Sequence, residues 1–128
     1  MSARISLRKI SSKNEKKFLK LARASQEFHQ DWVSVPMTPK AFQRYAKTMN
    51  TSQDKSFLVW RKDKKTLAGV IELQDIYREN FRNAYVIYYA FEGNQGEGLM
   101  TEALRGVIRI AFKKLKLHRL EANIQPDN

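Results

Sequence analysis

A glycine-rich segment near residue 95 holds the residues whose types and spacing could do chemistry. The apolar, aromatic run at 84–91 is followed by three of the five glycines, Gly93, Gly96 and Gly98, and then by a helical pattern from Leu99. Where a strand turns into a helix through glycines, outward N–H groups and the helix N-terminus together attract anions. The segment therefore predicts a phosphate-binding turn. The alternative is a plain tight turn that caps a core helix.

Several familiar kinds of site are excluded by the residues present. No Gly-Lys-Ser/Thr follows the glycines, as a Walker A loop requires, and Thr101 stands where the dinucleotide fingerprint needs its third glycine. The chain has no cysteine, so a thiolate nucleophile and a disulfide framework are absent. Its two histidines, His29 and His118, lie far apart in the sequence, which argues against a zinc site.

The charge is strongly positive and uneven. The 128 residues carry 24 Lys and Arg against 13 Asp and Glu, a net charge of +11. Residues 1–24 hold eight basic groups and one acidic group, and residues 99–119 hold six and one, so these two segments contribute +7 and +5. Such segments either attract polyanions or form solvated helix faces. No apolar run approaches the roughly 18–20 residues of a membrane span, so we predict a cytoplasmic protein.

The elements that must position the glycine-rich turn follow the order β-α-α-β-β-β-loop-α-β. Alternation and apolar runs predict strands at 4–10, 56–61, 67–73, 84–91 and 117–124. Helices are predicted from a capping box at Ser12–Glu15, over Pro39–Met49 after Thr38, and over Leu99–Lys116. Gly69 inside a strand predicts a bulge or a close backbone approach. This is an α/β fold in which three meandering strands precede one helical crossover.

The glycine-rich segment resembles the Q/R-x-x-G-x-G/A signature of the GNAT acyltransferase superfamily. Gln95 and Gly98 match, and Met100 departs from the final Gly/Ala. Residues 101–104 (T-E-A-L) resemble the RimJ/RimL-like branch, which acetylates ribosomal protein N-termini and related amines. Further likenesses to that branch lie at 69–73 (G-x-I-x-L) and in the R-x-E-A and P-x-N matches within 119–128. The resemblance covers essentially the whole chain.

The resemblance implies a fold and an activity. The fold would be one GNAT-like domain over 1–128, with a mixed, mostly antiparallel central sheet and flanking helices. The activity would be N-acetyl transfer from acetyl-coenzyme A to a primary amine, by direct attack. The acceptor would be a protein N-terminus, such as that of a ribosomal protein, or a small amine. In the resembled family the chain continues into another helix and two strands, so the domain is expected to be incomplete at its C-terminus.

The resemblance also assigns the cofactor site. The amides from Gln95 to Met100 would hold the cofactor's pyrophosphate, and the strand end at 89–91 would pair with its pantetheine arm. The residues implied as cofactor-binding are Tyr89, Ala90, Phe91, Gln95, Gly96, Glu97, Gly98, Leu99, Met100, Thr101 and Asn128.

Acetyl transfer to an amine also needs a base that removes the amine's proton. Glu72 and Glu121 are the candidates, because both lie on strands predicted near the cleft. Of the two, Glu121 fits the R-x-E-A pattern better. Each can instead be a glutamate on a solvated strand face or in an ion pair.

Two functions other than acetyl transfer stay open, and a second copy of the chain is a further expected partner. The chain can be an inactive domain that keeps the cofactor turn, or a nucleic-acid- or ribosome-binding protein that uses its basic segments. No stacking-aromatic motif of RNA-binding modules supports the latter. Because the last predicted strand would have an unpaired edge, we also expect a homodimer or larger assembly.

Overall fold

A five-stranded sheet organises the chain in the computed structural model, which describes residues 4–26, 35–94 and 98–122. The strands, in both sequence and spatial order, are β1 (Ile5–Lys9), β2 (Lys55–Arg61), β3 (Thr66–Tyr77), β4 (Asn83–Ala90) and β5 (Arg119–Ala122). The first four pair antiparallel, and β5 runs parallel to β4. The helical crossover before β5 allows that parallel pairing. The predicted mixed, mostly antiparallel sheet is confirmed.

Helices cover both faces of the sheet. Helices α1 (Glu15–Ala24) and α2 (Pro39–Thr48) pack on one face, called here the α1/α2 face, with a core that includes Phe18 and Phe42. Helix α3 (Leu99–Arg109) packs on the opposite, α3 face. Strand alternation divides the sheet's own apolar residues between these two cores. In the described ranges, no helix has the length and apolar character to cross a membrane.

The start of the first helical segment differs from its prediction by one residue. Ser11, not Ser12, is the cap: its backbone is extended, its hydroxyl accepts from the Lys13 amide (3.2 Å), and Asn14 Oδ1 accepts from the Ser11 amide (2.9 Å). Residues Ser12–Asn14 form one 3₁₀ turn, and α1 begins at Glu15. The reason is that Asn14 supplies the return hydrogen bond that was expected of Glu15.

The other two helices agree more closely with the sequence. Thr38 caps α2 through a hydrogen bond from the Ala41 amide (3.1 Å), with Pro39 in the first turn, as predicted. The last helix, which was predicted to reach Lys116, is a regular α-helix only as far as Arg109. It continues as a wider π-helical turn, Ile110–Lys114. The Leu115 amide donates to the Ile110 carbonyl there (3.1 Å), five residues back, which widens the turn.

Strand β3 is longer than predicted. The polar residues after Leu73 were expected to form a connection, yet the strand continues to Tyr77, which pairs with Asn83 at the start of β4. The hairpin is closed by Asn80 and Arg82 with positive φ. Cross-strand pairing therefore outweighs the polar character of this segment.

Candidate functional site

Gly98 marks the N-terminus of α3. Its φ of +72° is left-handed, a conformation that glycine adopts without strain, and it carries no side chain to cap the helix. The Gly98 carbonyl accepts the first helical hydrogen bond, from Glu102 (3.1 Å). The amide groups of Leu99, Met100 and Thr101 lie in the first turn. Because no helical turn precedes them, the helix offers them no carbonyl as a hydrogen-bond acceptor. Together with the helix dipole, they form an environment suited to an anion.

Four of the predicted cofactor-binding residues cannot be placed around this turn. Gln95, Gly96, Glu97 and Asn128 lie outside the residues that the structure describes.

Gly69 lets α3 pack against the end of the central strands, and the close approach predicted at this glycine is found there. A side chain on Gly69 would begin 2.5 Å from the Tyr89 carbonyl oxygen and 2.6 Å from the Met100 sulfur. The β2–β3 register also shifts beside it, between Val59 and Trp60. Because only glycine fits there, the predicted strand end and the first turn of α3 are held in contact.

The strand end itself is mostly buried. Tyr89 and Phe91 face the α1/α2 core, and Phe91 packs edge-on against Phe18 with ring centroids 5.6 Å apart. Ala90 lies directly opposite Gly69. The described pairing of β5 with β4 covers Asn83–Val86, so the strand end projects beyond it toward α3.

A buried polar contact that sequence reasoning missed holds the turn after β4. The Arg61 side chain is 3% exposed and donates to the Asn94 side-chain oxygen over 2.9 Å. The Asn94 amide donates in turn to the Phe91 carbonyl over 3.0 Å. From the other side, the Ser25 hydroxyl accepts from the Glu92 amide over 2.8 Å. No sequence motif signals these contacts, because they join residues far apart along the chain.

Glu72 lies on β3 and is 5% exposed, on the α1/α2 face. The Tyr45 hydroxyl donates to one of its carboxylate oxygens, and the Gln74 side-chain amide donates to the other over 2.8 Å. Burial raises the pKa of Glu72, and the two hydrogen bonds partly oppose that rise. Glu72 is therefore not on a solvated face, and among residues 4–26, 35–94 and 98–122 it has no ion-pair partner.

Tyr45, on α2, ties this carboxylate to its neighbours. Its hydroxyl also lies 2.9 Å from the Ser56 hydroxyl. Burial, followed by the nearby Tyr89 and Glu72, raises the pKa of Tyr45, and burial followed by Glu72 raises that of Tyr89. The helical spacing predicts that Tyr45 faces inward. It does not predict its contact with Glu72, which depends on how α2 crosses the sheet.

Glu121 lies apart from Glu72. It is on β5 opposite Tyr85, with its side chain 34% exposed and 2.9 Å from the Arg119 guanidinium. The strand registers put Glu121, Tyr85 and Glu72 on the same face of the sheet. Two strand spacings and two residues separate the glutamates, which gives about 12 Å between their Cα atoms. The structure therefore does not join them into one catalytic pair.

Comparison with known proteins identifies the family. The chain matches the acetyltransferase (GNAT) domain family over residues 4–128. It is 32% identical over 98 residues to the probable N-acetyltransferase YjcK of Bacillus subtilis, covering 77% of this chain and 54% of that protein. It is 36% identical over 66 residues to the [ribosomal protein uS5]-alanine N-acetyltransferase of Escherichia coli, covering 52% and 34%. The chain thus spans about half or less of these relatives.

Solved structures share the fold at lower sequence identity. The ribosomal-protein-S5-alanine acetyltransferase of Vibrio fischeri superposes with a TM-score of 0.88 at 21% identity, over 100% of this chain and 74% of that one. The RimJ protein of Mycobacterium smegmatis, in complex with CoA-disulfide, gives 0.87 at 17% identity, over 97% and 64%. The family match covers nearly every residue, and the sheet order and the helix that follows Gly98 agree with it. The chain therefore belongs to the GNAT acetyltransferase family.

Proposed function

We propose that this chain is an N-acetyltransferase that passes the acetyl group of acetyl-coenzyme A to a primary amine by direct attack. One observation carries the proposal: in a GNAT fold, the first turn of α3 lies against the end of the central strands, because the Met100 sulfur stands 2.6 Å from where a Cβ on Gly69 would begin, opposite Ala90. The site combines donors for a phosphate with a strand end that an extended ligand can follow. Cytoplasmic location stays a prediction.

The residues present fit the cofactor. The first-turn amides from Leu99 to Thr101 would hold its pyrophosphate, with Gln95–Glu97 and Asn128 as further ligands implied by the family. The strand end, Tyr89–Phe91, would lie along its pantetheine arm. Acetyl-coenzyme A supplies the thioester that the amine attacks. The Arg4 guanidinium lies 3.6 Å from where a Cβ on Gly98 would stand, so it adds positive charge beside the first turn.

We assign to Glu72 the removal of the proton from the amine. Tyr45, whose hydroxyl donates a hydrogen bond to Glu72, would link this carboxylate to the amine. Glu72 pairs with Ile87, which is three residues before Ala90, whereas Glu121 pairs with Tyr85, which is five residues before it. At about 3.4 Å per residue, Glu72 is nearer the strand end. Its raised pKa brings it closer to the range of a useful base. Glu121 remains the second candidate.

The acceptor we propose to test first is a peptide with an N-terminal alanine. The Escherichia coli relative is named for acetylating an alanine of ribosomal protein uS5, and a fold neighbour from Vibrio cholerae is named a spermidine N-acetyltransferase. A primary amine is the group that these acceptors share, so spermidine is the second acceptor in the test.

Calorimetric titration with acetyl-coenzyme A tests the site. The variants Gly98→Asp and Gly98→Asn differ from each other only in charge, and both residues tolerate a left-handed conformation better than most. We expect Asp to weaken binding at least about tenfold relative to Asn, because its carboxylate repels phosphate, a charge effect of roughly 1.4 kcal/mol or more. Equal affinities for the two variants would place the cofactor elsewhere.

Mass spectrometry of the peptide and of spermidine then tests turnover. We expect a mass increase of one acetyl group in at least one of them, and a large loss of rate in Glu72→Gln at undiminished cofactor affinity. Cofactor binding without acetyl transfer to either acceptor would instead favour an inactive cofactor-binding domain.

A homodimer is the assembly we propose. β5 is an end strand of the described sheet, and end strands pair readily with another chain. Light scattering at micromolar protein tests this directly, since a monomer's mass would contradict it.

A further inference from the structure

A basic groove runs between β1 and α3, on the α3 face of the sheet. Its volume is about 800 Å³, and Ile5, Leu7 and Ile110 supply apolar lining. Six basic side chains surround it: Arg4, Lys62, Arg105, Arg109, Lys113 and Lys114. Arg4 comes from the basic N-terminal segment, and Arg105, Arg109, Lys113 and Lys114 come from the basic segment of residues 99–119.

One carboxylate lines this groove, and it is already engaged. Glu102 accepts a hydrogen bond from Arg4 Nε over 2.6 Å and forms an ion pair with the same guanidinium. In contrast, Arg105, Arg109, Lys113 and Lys114 form no ion pair with any residue in 4–26, 35–94 or 98–122. Within the part of the chain that the structure describes, these four side chains give the groove a positive charge that no carboxylate pairs with.

These basic side chains place like charges close together along one segment of the chain. Arg105 and Arg109 are four residues apart on α3, about 6 Å along the helix axis, and Lys113 follows four residues later in the π-helical turn. Like charges at this spacing destabilise a helix by a few tenths of a kcal/mol per pair. A row of phosphates along these side chains would relieve their mutual repulsion, which suits an extended, regularly charged ligand.

We propose that this groove binds the sugar–phosphate backbone of a nucleic acid, independently of acetyl transfer. Arginine and lysine together favour phosphate contacts, and a groove between a helix and a strand edge suits a linear chain. Among the described residues, the exposed aromatic side chains are Tyr77, Phe81, Tyr85, Tyr88 and Phe112, and none lines the groove. A membrane-docking face would combine its charges with such side chains.

The groove begins beside the proposed cofactor turn, where the Arg4 guanidinium stands 3.6 Å from the position of a Cβ on Gly98, and it extends from there along α3. Arg105 and Arg109 lie seven and eleven residues after Gly98, which corresponds to about 10 and 16 Å along α3, and Lys113 follows in the π-helical turn. A phosphate held at the first turn of α3 therefore leaves most of the groove accessible.

Fluorescence anisotropy with a labelled RNA duplex of about 20 base pairs tests the proposal, from about 50 to about 200 mM salt. The test variant combines Arg105→Gln, Arg109→Gln and Lys113→Gln. The control combines Lys40→Gln, Arg44→Gln and Lys47→Gln, which removes the same charge from exposed positions on α2. Circular dichroism verifies that both variants are folded.

We expect the wild type and the control to bind RNA alike. In the test variant the slope of log affinity against log salt should fall by about 2 to 3, since each phosphate contact contributes roughly 0.7 to 0.9. Equal losses in both variants would overturn the proposal, as would binding to anionic lipid vesicles without binding to RNA. Displacement of RNA by saturating acetyl-coenzyme A would also overturn it, because the groove would then belong to the cofactor site.

Discussion

Arg61 and Asn94 share a buried hydrogen bond of 2.9 Å that joins the end of β2 to the turn after β4. The guanidinium is held on its other side by Asp63, whose two oxygens each accept over 2.8 Å. Asn94 donates onward to the Phe91 carbonyl. The turn that leads toward the proposed cofactor site is therefore positioned by a side chain from a different hairpin.

The first prediction concerns Asn94→Ala. Removing the side chain leaves the buried Arg61 without one of its acceptors, which should destabilise the fold by about 1 to 3 kcal/mol. The turn should also loosen, so acetyl-coenzyme A affinity should fall several-fold. Urea unfolding and calorimetry measure the two effects. Unchanged cofactor affinity in a destabilised Asn94→Ala protein would mean that the turn does not position the site.

The sequence predicted the elements well where the signal is local. The four-residue spacing of Leu99, Ala103, Val107 and Ala111 marks the buried stripe of the last helix, and Thr38 with Pro39 marks the start of α2. Each signal depends on neighbours within one or two turns. Such patterns survive in the folded structure because the tertiary contacts agree with them.

The sequence could not predict the contacts between distant elements. Glu72 and Tyr45 are 27 residues apart and meet only because α2 crosses the sheet over β3. The extension of β3 to Tyr77 depends likewise on its pairing with Asn83. The glycine-rich turn could be predicted because its three glycines lie within six residues, and Glu72 could be named as a candidate, whereas its contact with Tyr45 depends on the tertiary structure.

Gly69→Ala is the second prediction. A methyl group would press on the Tyr89 carbonyl and the Met100 sulfur, and the carbonyl is fixed in the sheet. We expect a loss of about 1 to 3 kcal/mol in unfolding free energy, which is typical of overpacking, and weaker cofactor binding as Met100 moves.

Gly106→Ala is its matched control. There the methyl group would meet the tip of the Leu7 side chain, which can rotate, and alanine favours the helix by about 1 kcal/mol. We expect this variant to unfold near the wild-type urea concentration. A Gly69→Ala protein as stable as Gly106→Ala would show that the contact between the strands and α3 is not tight.

The third prediction concerns acid stability at Asp63. The hydrogen bond from Arg61 lowers the pKa of Asp63 from 3.8 to about 2. The unfolded state therefore binds the proton of Asp63 more tightly than the folded state does. The contribution of Asp63 to the free energy of unfolding is present above pH 3.8 and is lost as the pH falls through about 2. Asp63→Asn should lower the melting temperature at neutral pH, with the difference from wild type vanishing near pH 2.

Glu79→Gln is the control for Asp63→Asn, because it removes an exposed carboxylate from the β3–β4 turn. Melting curves across the acid range compare the three proteins. A difference between Asp63→Asn and wild type that persists undiminished at pH 2 would contradict the assigned ion pair.

Tyr45→Phe is the fourth prediction, and it tests the buried hydrogen bond between Tyr45 and Glu72, whose pKa is raised and not lowered. Burial raises the pKa of Glu72 above 4.5, so the native state binds this proton more tightly than the unfolded state. The contribution of Glu72 to stability is therefore full below pH 4.5 and decreases as the pH rises through the pKa of the folded protein. The Tyr45 hydrogen bond lowers that pKa, so removing it should extend the decrease to higher pH.

Thermal unfolding against pH separates this effect from a simple loss of packing. Tyr45→Phe should lose about 1 to 2 kcal/mol above the raised pKa and less below it, because a protonated Glu72 needs no donor from Tyr45. Glu72→Gln should remove this pH dependence. If proton removal passes through the pair, the pH at which acetyl transfer reaches half its maximum should also rise in Tyr45→Phe. A rate that falls equally at every pH would instead assign Tyr45 a structural role, because a change in packing leaves the pKa of Glu72 where it was.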